Sequence, residues 1–293
     1  MTDMQEKTID KITDISETLL IPLYARAMET KSENPIIIDK RAVEITQELN
    51  KIFEKSDSSL HQNLVRGKAR RNMGKKLNAT LTLRTKKFDK YCLDFLSENP
   101  DGIIVELGCG LSTRFTRIDN GKLQWYDLDF PEVIGIREKF FKESNRYHFI
   151  PSSVLKWEWM EQLKNQNKKF LFIAEGLFMY LHEDEVKSLL LKLQRMFPGC
   201  ELACEVANSF VIKFLKRKIL RRKFQRDFHL GGDATFNFGI KDSNEFERWN
   251  KGIIFLDDWT YFDDKEKKLG WINLMGRFEK IKKTQWIVHY KLK

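Results

Sequence analysis

From Ile103 onward, short apolar segments with the composition of β-strands alternate with segments that have helical periodicity. Five predicted strands come before residue 208, in the order IIVEL, LQWYDLD, YHFI, KFLFIAE and ELACEVA. Strands that alternate with helices in this way pair in parallel, and the helices cover both faces of the sheet. The sequence therefore predicts an α/β fold in which ligands bind beyond the carboxyl ends of the strands.

The remaining segments complete this architecture. The first hundred residues have the periodicity of helices, and the C-terminal segment has the pattern of a strand, a helix and a last strand, IIFLDDW, LGWINLMGRF and TQWIVHYKL. These additions are what a seven-stranded sheet with an antiparallel edge strand requires. We predict such a sheet, mostly parallel.

The composition limits the class of protein. With 42% hydrophobic and 32% charged residues, the chain is typical of globular proteins, and no apolar run approaches the roughly 20 residues that a membrane span needs. The polar N-terminus lacks the apolar stretch of a signal peptide, and the four cysteines form no C-x-x-C pair. These features predict a cytoplasmic protein with reduced thiols and no structural metal site. The formal charge of +10 favours anionic partners.

The first predicted strand runs into a loop with two glycines, VELGCGLSTR, at residues 105–114. The loop lacks the Gly-Lys pair of a P-loop, and Thr113 stands where a dinucleotide fingerprint has its third glycine. Gly108 and Gly110 permit a sharp turn and the close approach of a ligand. Glu106 is costly to bury unless a cation or a hydrogen-bond donor meets it. The loop alone is compatible with a ligand site and with a structural turn.

The following strand ends also carry acids, hydroxyls or glycines. Asp129 lies 19 residues beyond Gly110, about where an acid accepts hydrogen bonds from a ribose diol. The next ends carry Ser153 with Val154, whose backbone can contact an adenine edge, and Glu175 before a glycine. A single acid at a strand end also serves a turn, but four consecutive polar strand ends favour a binding site.

The runs IIVELGCGLSTRFTRID, WYDLDFPEVIGIREKFF, IPSSVLKWEW and FIAEGLFMYLHEDEVKSLL resemble the S-adenosylmethionine-dependent leucine carboxyl methyltransferase family. The resemblance is closer to its bacterial branch, the polyketide O-methyltransferases, and is strongest from Leu81 to Phe197. It implies a Rossmann-like class I methyltransferase with S-adenosylmethionine as cofactor and S-adenosylhomocysteine as product. One domain would then comprise an N-terminal helical cap (1–100), a cofactor-binding core (101–208), a helical lid insertion (209–240) and the completion of the sheet (241–293).

The resemblance implies cofactor contacts at eight positions: Arg84, Glu106, Gly108, Gly110, Asp129, Ser153, Val154 and Glu175. Arg84 would clamp the carboxylate of the methionine, a bidentate role that suits a guanidinium. Asp129 would hold the ribose, and Ser153 and Val154 the adenine. The two glycines would line the methionine portion beside a supporting glutamate, while Glu175 would bind the ammonium or support the loop beside it.

Two positions depart from the bacterial branch. Ser112 and Lys156 stand where its members usually have Asp. Ser112 can still cap a helix, so the fold is unaffected. Lys156 removes a carboxylate near the cofactor, which leaves the adenine contacts open.

The methyl acceptor is expected to be a small molecule with a carboxylate or a hydroxyl. A carboxylate needs no base, since it is ionised at neutral pH, whereas a phenol benefits from one. The candidate catalytic residues are Tyr180, which could orient an acceptor, and His182; each is also compatible with a structural role. His229 is a further candidate base, and Tyr24 and Arg26 are weaker site candidates.

A basic segment, KFLKRKILRRKFQR at residues 213–226, has eight basic residues in fourteen and apolar residues at helical spacing. It predicts a lid over the site, a lid that attracts an anionic acceptor, or a surface for membrane or nucleic acid. A second basic patch at 66–76 lacks the aromatic residues that stack on bases. A nucleic-acid partner is therefore disfavoured. The alternatives to a small-molecule enzyme are a tRNA-modifying methyltransferase and a cofactor-binding protein without catalysis.

Overall fold

The structure, a computed structural model, describes residues 17–66, 74–215 and 236–293. Most of the basic segment at 213–226, most of the predicted lid insertion, His229 and the first sixteen residues lie outside the described residues. The basic patch at 66–76 lies there in part.

Seven strands form a single sheet. Their bounds are β1 Ile103–Leu107, β2 Gln124–Asp129, β3 Tyr147–Pro151, β4 Phe170–Ala174, β5 Cys200–Ala207, β6 Ile253–Trp259 and β7 Gln285–Leu292. The strand order is β3-β2-β1-β4-β5-β7-β6. Neighbouring strands among β1 to β5 are parallel, while β7 lies between β5 and β6 and is antiparallel to both. The predicted seven-stranded, mostly parallel fold is confirmed, and its antiparallel pairing lies at the β6 end of the sheet.

The helices of four or more residues in the described part of the chain are α1 Glu17–Thr30, α2 Lys40–Phe53, α3 Ser59–Val65, α4 Gly74–Glu98, α5 Phe115–Ile118, α6 Pro131–Arg137, α7 Glu158–Leu163, α8 Glu183–Met196, α9 Ser209–Leu215, α10 Ile272–Met275 and α11 Glu279–Lys282. None of the described helices is both long enough and apolar enough to cross a membrane.

Successive strand residues point to opposite faces of the sheet, and each face has its own core. Ile104 and Leu171 pack with α1, α2 and α4 on one face, whereas Val105 and Phe172 pack with α7 and α8 on the other. The core side of α8 is the one that its spacing predicts: Val186, Leu189, Leu190 and Leu193 are fully buried.

Helix α4 extends from Gly74 to Glu98 and begins 13 residues before the predicted start at Lys87. The added turns contain Thr82 and Thr85, whose hydroxyls donate to carbonyls four residues earlier, at 2.6 and 3.1 Å. Threonine has a low helix propensity, which hid these turns from the sequence pattern. The extension matters because it carries Arg84 on a rigid element beside the sheet.

Candidate functional site

A cavity of about 700 Å³ lies beyond the carboxyl ends of β1 to β4. This volume is within the range of small-molecule sites. The eight sequence-predicted cofactor positions all line it: Arg84, Glu106, Gly108, Gly110, Asp129, Ser153, Val154 and Glu175. The structure therefore brings together residues that are spread over some ninety positions of the chain.

The glycine loop adopts the backbone conformation that its sequence suggests. Gly108 has φ +65° and Gly110 has φ +49°, a left-handed region that glycine enters without strain. A Cβ at Gly110 would also lie 2.9 Å from Leu19 Cδ2, because α1 packs directly on the loop. The backbone conformation thus favours glycine at 110, and the close approach of the Leu19 side chain adds to this preference.

Asp129 ties the end of β2 to this loop. The Gly110 amide donates to its Oδ2 and the Phe130 amide to its Oδ1, each at 2.8 Å. Burial raises the pKa of Asp129, against the effect of these two hydrogen bonds. The carboxylate still lines the cavity and retains lone pairs for further donors.

Arg137 holds the same loop from behind. Its Nη1 donates to the carbonyl oxygens of Gly110 (2.7 Å) and Ser112 (3.0 Å). Its Nη2 pairs with Asp127, the acid of β2 that lies two residues before Asp129. Asp127 is also bonded to Trp125 and is 1% exposed, so it acts as a structural anchor.

Glu106 meets the cation that its burial requires. Its Oε1 pairs with Nη1 of Arg114, a guanidinium that is 1% exposed and also contacts Asp89 and Glu175. Its Oε2 is buried and accepts no hydrogen bond in the described part of the chain. Burial raises the pKa of Glu106 to about 7, despite the opposing effect of Arg114. The site thus contains a buried carboxyl oxygen to which none of the described residues donates.

Arg84 lies between two glutamates. Its Nε donates to Glu175 Oε1 at 2.8 Å and its Nη1 to Glu205 Oε2 at 3.0 Å. Burial would raise the pKa of Glu175, but Arg84 and Arg114 together lower it to about 2. Glu175 is therefore a permanently charged partner of two guanidinium groups, and it fixes both beside the cavity.

The ionic network continues into the N-terminal helices. Arg117 pairs with Asp89 on α4 at 2.7 Å and with Asp39 at 2.8 Å. Asp39 caps α2 through the Ala42 amide and pairs with Arg26 of α1 at 2.9 Å. Ion pairs therefore link α5, which follows the glycine loop, to α4 and to the start of α2, and through Asp39 to α1.

The sequence model of the leucine carboxyl methyltransferase family matches residues 20–194, more than half of the chain. The chain belongs to this family. Tetracenomycin polyketide synthesis O-methyltransferase of Streptomyces glaucescens is 28% identical over 254 residues, 86% of this chain and 85% of that protein. An S-adenosyl-L-methionine-dependent methyltransferase of Gibberella zeae is 28% identical over 299 residues, 92% of each chain.

A solved structure supports the fold. The S-adenosylmethionine-dependent methyltransferase of Anabaena variabilis superposes with a TM-score of 0.51 at 13% identity, covering 88% of this chain and 96% of that chain. As a member of the leucine carboxyl methyltransferase family, the chain is an S-adenosylmethionine-dependent methyltransferase.

The residues of this methyltransferase fit that cofactor. S-adenosylmethionine carries a cationic ammonium, and the buried Glu106 Oε2 is an acceptor without a donor. A Cβ at Gly108 would come within 3.1 Å of Leu177 Cδ1, so the glycine leaves room for the loop to turn beside a ligand. The unpartnered oxygen thus suits the positive charge of the ammonium.

The two candidate catalytic residues, Tyr180 and His182, lie in different places in the structure. Tyr180 lines the cavity, with its ring 5.3 Å from that of Phe236. His182 does not line it, because it lies at the N-cap of α8, where its amide donates to Glu185 at 2.7 Å. The structure thus places His182 outside the cavity lining.

The two weaker candidates also differ. Tyr24 is buried outside the cavity, where its hydroxyl donates to Asn50 Oδ1 at 2.7 Å. Arg26 does line the cavity, but its guanidinium is bonded to Asp39 and to the Leu111 carbonyl. Its placement favours a role in holding α1 against the loop.

The two departures from the family pattern have different surroundings. Ser112 lines the cavity and its Oγ accepts from the Arg114 amide at 3.3 Å, just before α5. The N-cap residue of α5 is Arg114. Ser112 therefore does not cap the helix and only accepts a hydrogen bond from the N-cap amide. Lys156 is exposed and lies outside the cavity lining.

Sequence reasoning missed Glu205, Tyr261 and Gln285, which meet at the C-terminal side of the cavity. One signal was available for Glu205, since it is an acid within an apolar strand, the same pattern that singled out Glu106. Arg114 also stood inside the quoted loop. Its partner Glu106 lies in the same loop, whereas Asp89 and Glu175 come from distant segments and carry no local signal.

Proposed function

We propose that this chain transfers the methyl group of S-adenosylmethionine to an oxygen of a small, largely apolar acceptor that carries a carboxylate or a hydroxyl. The observation that carries the proposal is the cavity beyond β1 to β4, in which a glycine loop, an acid after the second strand and an orphaned carboxyl oxygen converge. The O-methyltransferase of Streptomyces glaucescens, aligned over most of both chains, supports oxygen as the receiving atom.

In this proposal the methionine portion lies at the charged end of the cavity. The ammonium donates a hydrogen bond to Glu106 Oε2, because both oxygens of Glu175 already pair with guanidinium groups. The carboxylate takes Arg84 Nη2, the guanidinium nitrogen that neither glutamate contacts. The loop glycines approach the methionine chain. These contacts orient the bound sulfonium, which supplies the methyl group.

The nucleoside lies at the opposite end. Asp129 retains acceptor lone pairs for the ribose hydroxyls, and Ser153 and Val154 contribute backbone groups beside the adenine. Phe130 and Val133 line the same side and offer apolar surface to the base. Lys156 contributes no contact in this arrangement, which is consistent with its exposure.

The acceptor occupies the part of the cavity lined mainly by apolar and aromatic side chains, among them Leu77, Leu81, Met179 and Tyr180. Such walls exclude water and align the acceptor oxygen with the methyl carbon, which are the main contributions of a protein to methyl transfer. They also favour a small molecule over a nucleic acid, whose binding requires cationic surface.

The pH dependence of binding tests the role of Glu106. The pKa of its carboxyl is about 7, and a cationic ligand favours the ionised form. The affinity for S-adenosylhomocysteine should therefore rise as pH rises from 5.5 through 7 and level off above, by at most about tenfold per pH unit. Calorimetric titrations at each pH measure this slope.

Glu106→Gln is the matched variant for this titration. It keeps the shape of the side chain and removes the proton equilibrium, so its affinity should be weak and flat over the same range. The groups that also act on the Glu106 carboxyl, Arg114, Asp127, Glu175 and Arg137, remain in place. If the affinity of the wild-type chain does not change with pH, or if that of the variant changes equally, Glu106 does not bind the ammonium.

Methyl-labelled S-adenosylmethionine tests the proposed acceptor class. Incubated with the chain and a fractionated extract of its source cells, the label should move into a small molecule that organic solvent extracts. Mild base then releases the label from a methyl ester and leaves an aryl ether intact. Label recovered in the tRNA fraction instead, with salt-sensitive binding, would support the nucleic-acid alternative.

A further inference from the structure

Three side chains form the C-terminal wall of the cavity. Glu205 on β5 is fully buried, Tyr261 follows β6, and Gln285 begins β7. The Tyr261 hydroxyl donates to Glu205 Oε1 at 2.5 Å, and Gln285 Nε2 donates to the same oxygen at 2.6 Å. The other oxygen of Glu205 accepts from Arg84 at 3.0 Å. Tyr261 and Gln285 line the cavity directly.

The carboxylate fixes the polarity of this wall. A carboxylate paired with a guanidinium only accepts hydrogen bonds, so the tyrosine hydrogen and the amide NH₂ must both face Glu205. This contact also assigns the Gln285 amide orientation, with Oε1 on the other side. Burial and the neighbouring Glu205 raise the pKa of Tyr261 well above its usual value, so its hydroxyl stays protonated.

The wall consequently offers acceptors to a ligand. The lone pairs of Tyr261 Oη and the Oε1 of Gln285 accept no hydrogen bond from the described residues. Arg84, the cation beside them, pairs with Glu175 and Glu205, and its remaining nitrogen, Nη2, is assigned to the cofactor carboxylate in the proposed function. A ligand group that donates a hydrogen bond is satisfied by these oxygens. An anionic group in the same place would be disfavoured by the negative charge of Glu205, which lies on the other side of Tyr261 and Gln285.

The surroundings set the rest of the chemistry. Tyr180, Leu81 and Phe236 also line the cavity and present apolar and aromatic surface. The Tyr261 ring itself packs against Trp259, with ring centroids 5.4 Å apart, which holds its position. The two acceptor oxygens thus belong to side chains held by Glu205, in a cavity whose apolar and aromatic lining suits a flat ring.

We propose that Tyr261 and Gln285, oriented by Glu205, form a subsite that binds a hydroxyl group of the methyl acceptor and selects hydroxyl-bearing aromatic compounds. This inference rests on the proposed function, since it assigns specificity within the same cavity. The hydroxyl seated here is a recognition group, whichever oxygen of the acceptor receives the methyl. Tyr261 and Gln285 contact the ligand directly, and Glu205 is a positioning residue.

Equilibrium binding to the chain saturated with S-adenosylhomocysteine tests the subsite without turnover. The probes are 1-naphthol, 1-methoxynaphthalene and 1-naphthoate, which share one ring system and differ in the group presented. We expect 1-naphthol to bind about tenfold more tightly than either of the others. An equal or stronger affinity for the ether or the carboxylate, or no binding of any probe, would overturn the proposal.

Two variants locate the preference. Tyr261→Phe and Gln285→Met should each reduce the advantage of 1-naphthol severalfold and leave the affinity for 1-methoxynaphthalene unchanged. Tyr91→Phe is the matched control: it removes a hydroxyl that donates to Asp257 at 2.9 Å outside the cavity, and it should keep the full preference. An undiminished preference in both subsite variants would also overturn the proposal.

The first titration separates the two proposals. If the wild-type chain fails to bind S-adenosylhomocysteine, the proposed function fails. If it binds the nucleoside but ranks the three probes differently from the order above, only the hydroxyl subsite fails. The ranking in the wild-type chain decides this without any variant, so a variant that folds poorly does not affect the outcome.

Discussion

Replacing Arg114 by methionine is expected to lower the free energy of unfolding by about 3–5 kcal/mol. Its guanidinium is 1% exposed and joins Glu106, Glu175 and Asp89, which come from two strand ends and one helix. Without it, three buried carboxylates face one another with too few cations nearby. A single missing partner thus leaves several charges uncompensated, which makes this the largest stability effect that we expect in the site.

Urea denaturation, extrapolated to water, measures the change. Arg146→Met is the control, since Arg146 pairs with Asp119 at the surface, with side chains about 30% exposed. Salt and water screen such pairs, so the control should unfold with the midpoint of the wild-type chain. Two variants with equal, small effects would show that the network around Arg114 does not stabilise the fold.

Replacing Gly110 by alanine is expected to weaken S-adenosylhomocysteine binding by at least about tenfold. At φ +49° an added Cβ costs about 1–2 kcal/mol of backbone strain. It would also lie 2.9 Å from Leu19 Cδ2, so either the Leu19 side chain or the loop must shift. A shift of the loop displaces the amide that donates to Asp129 at 2.8 Å. Strain and displacement therefore act on the same binding surface.

Gly121→Ala separates the two contributions. Gly121 has φ +79°, but an added Cβ would meet nothing within 4 Å, and it lies outside the cavity lining. This variant should lose stability by a similar backbone cost and keep its full affinity for S-adenosylhomocysteine. Affinities lowered equally in both variants, or unchanged in Gly110→Ala, would contradict the assigned role of the loop.

Much of the fold could be predicted because its signals are local. The alternation of strand and helix segments can be recognised from the pattern of consecutive residues. Strands β1 and β6 have the predicted bounds, Ile103–Leu107 and Ile253–Trp259. The positions along the strand ends could be found for the same reason, since each polar residue follows an apolar run. Parallel pairing then places those ends at one edge of the sheet.

The pairing of charges could not be predicted, because it depends on contacts between distant segments. Arg84 meets Glu175 and Glu205, which lie 91 and 121 positions away. Arg84 also lies in the part of α4 that the sequence pattern did not predict. The resemblance likewise implied a clamp on the cofactor, without the two glutamates that already hold this guanidinium.

The role of His182 shows a different limit. Its position after MYL placed it close to the cavity in sequence, but the turn into α8 places it at the helix N-terminus. Tyr180, two residues earlier, does line the cavity. Proximity in sequence to a strand end is therefore a weaker signal than the strand end itself.

Calorimetric titration of S-adenosylhomocysteine into the purified chain at pH 8 tests the central claim most directly. The arrangement of Glu106, Arg84, Asp129 and the glycine loop predicts saturable binding of one molecule per chain. Binding should weaken when the same titration is repeated at pH 6, because the Glu106 carboxyl then takes up a proton. No saturable heat at either pH would contradict the assignment of this cavity to the cofactor.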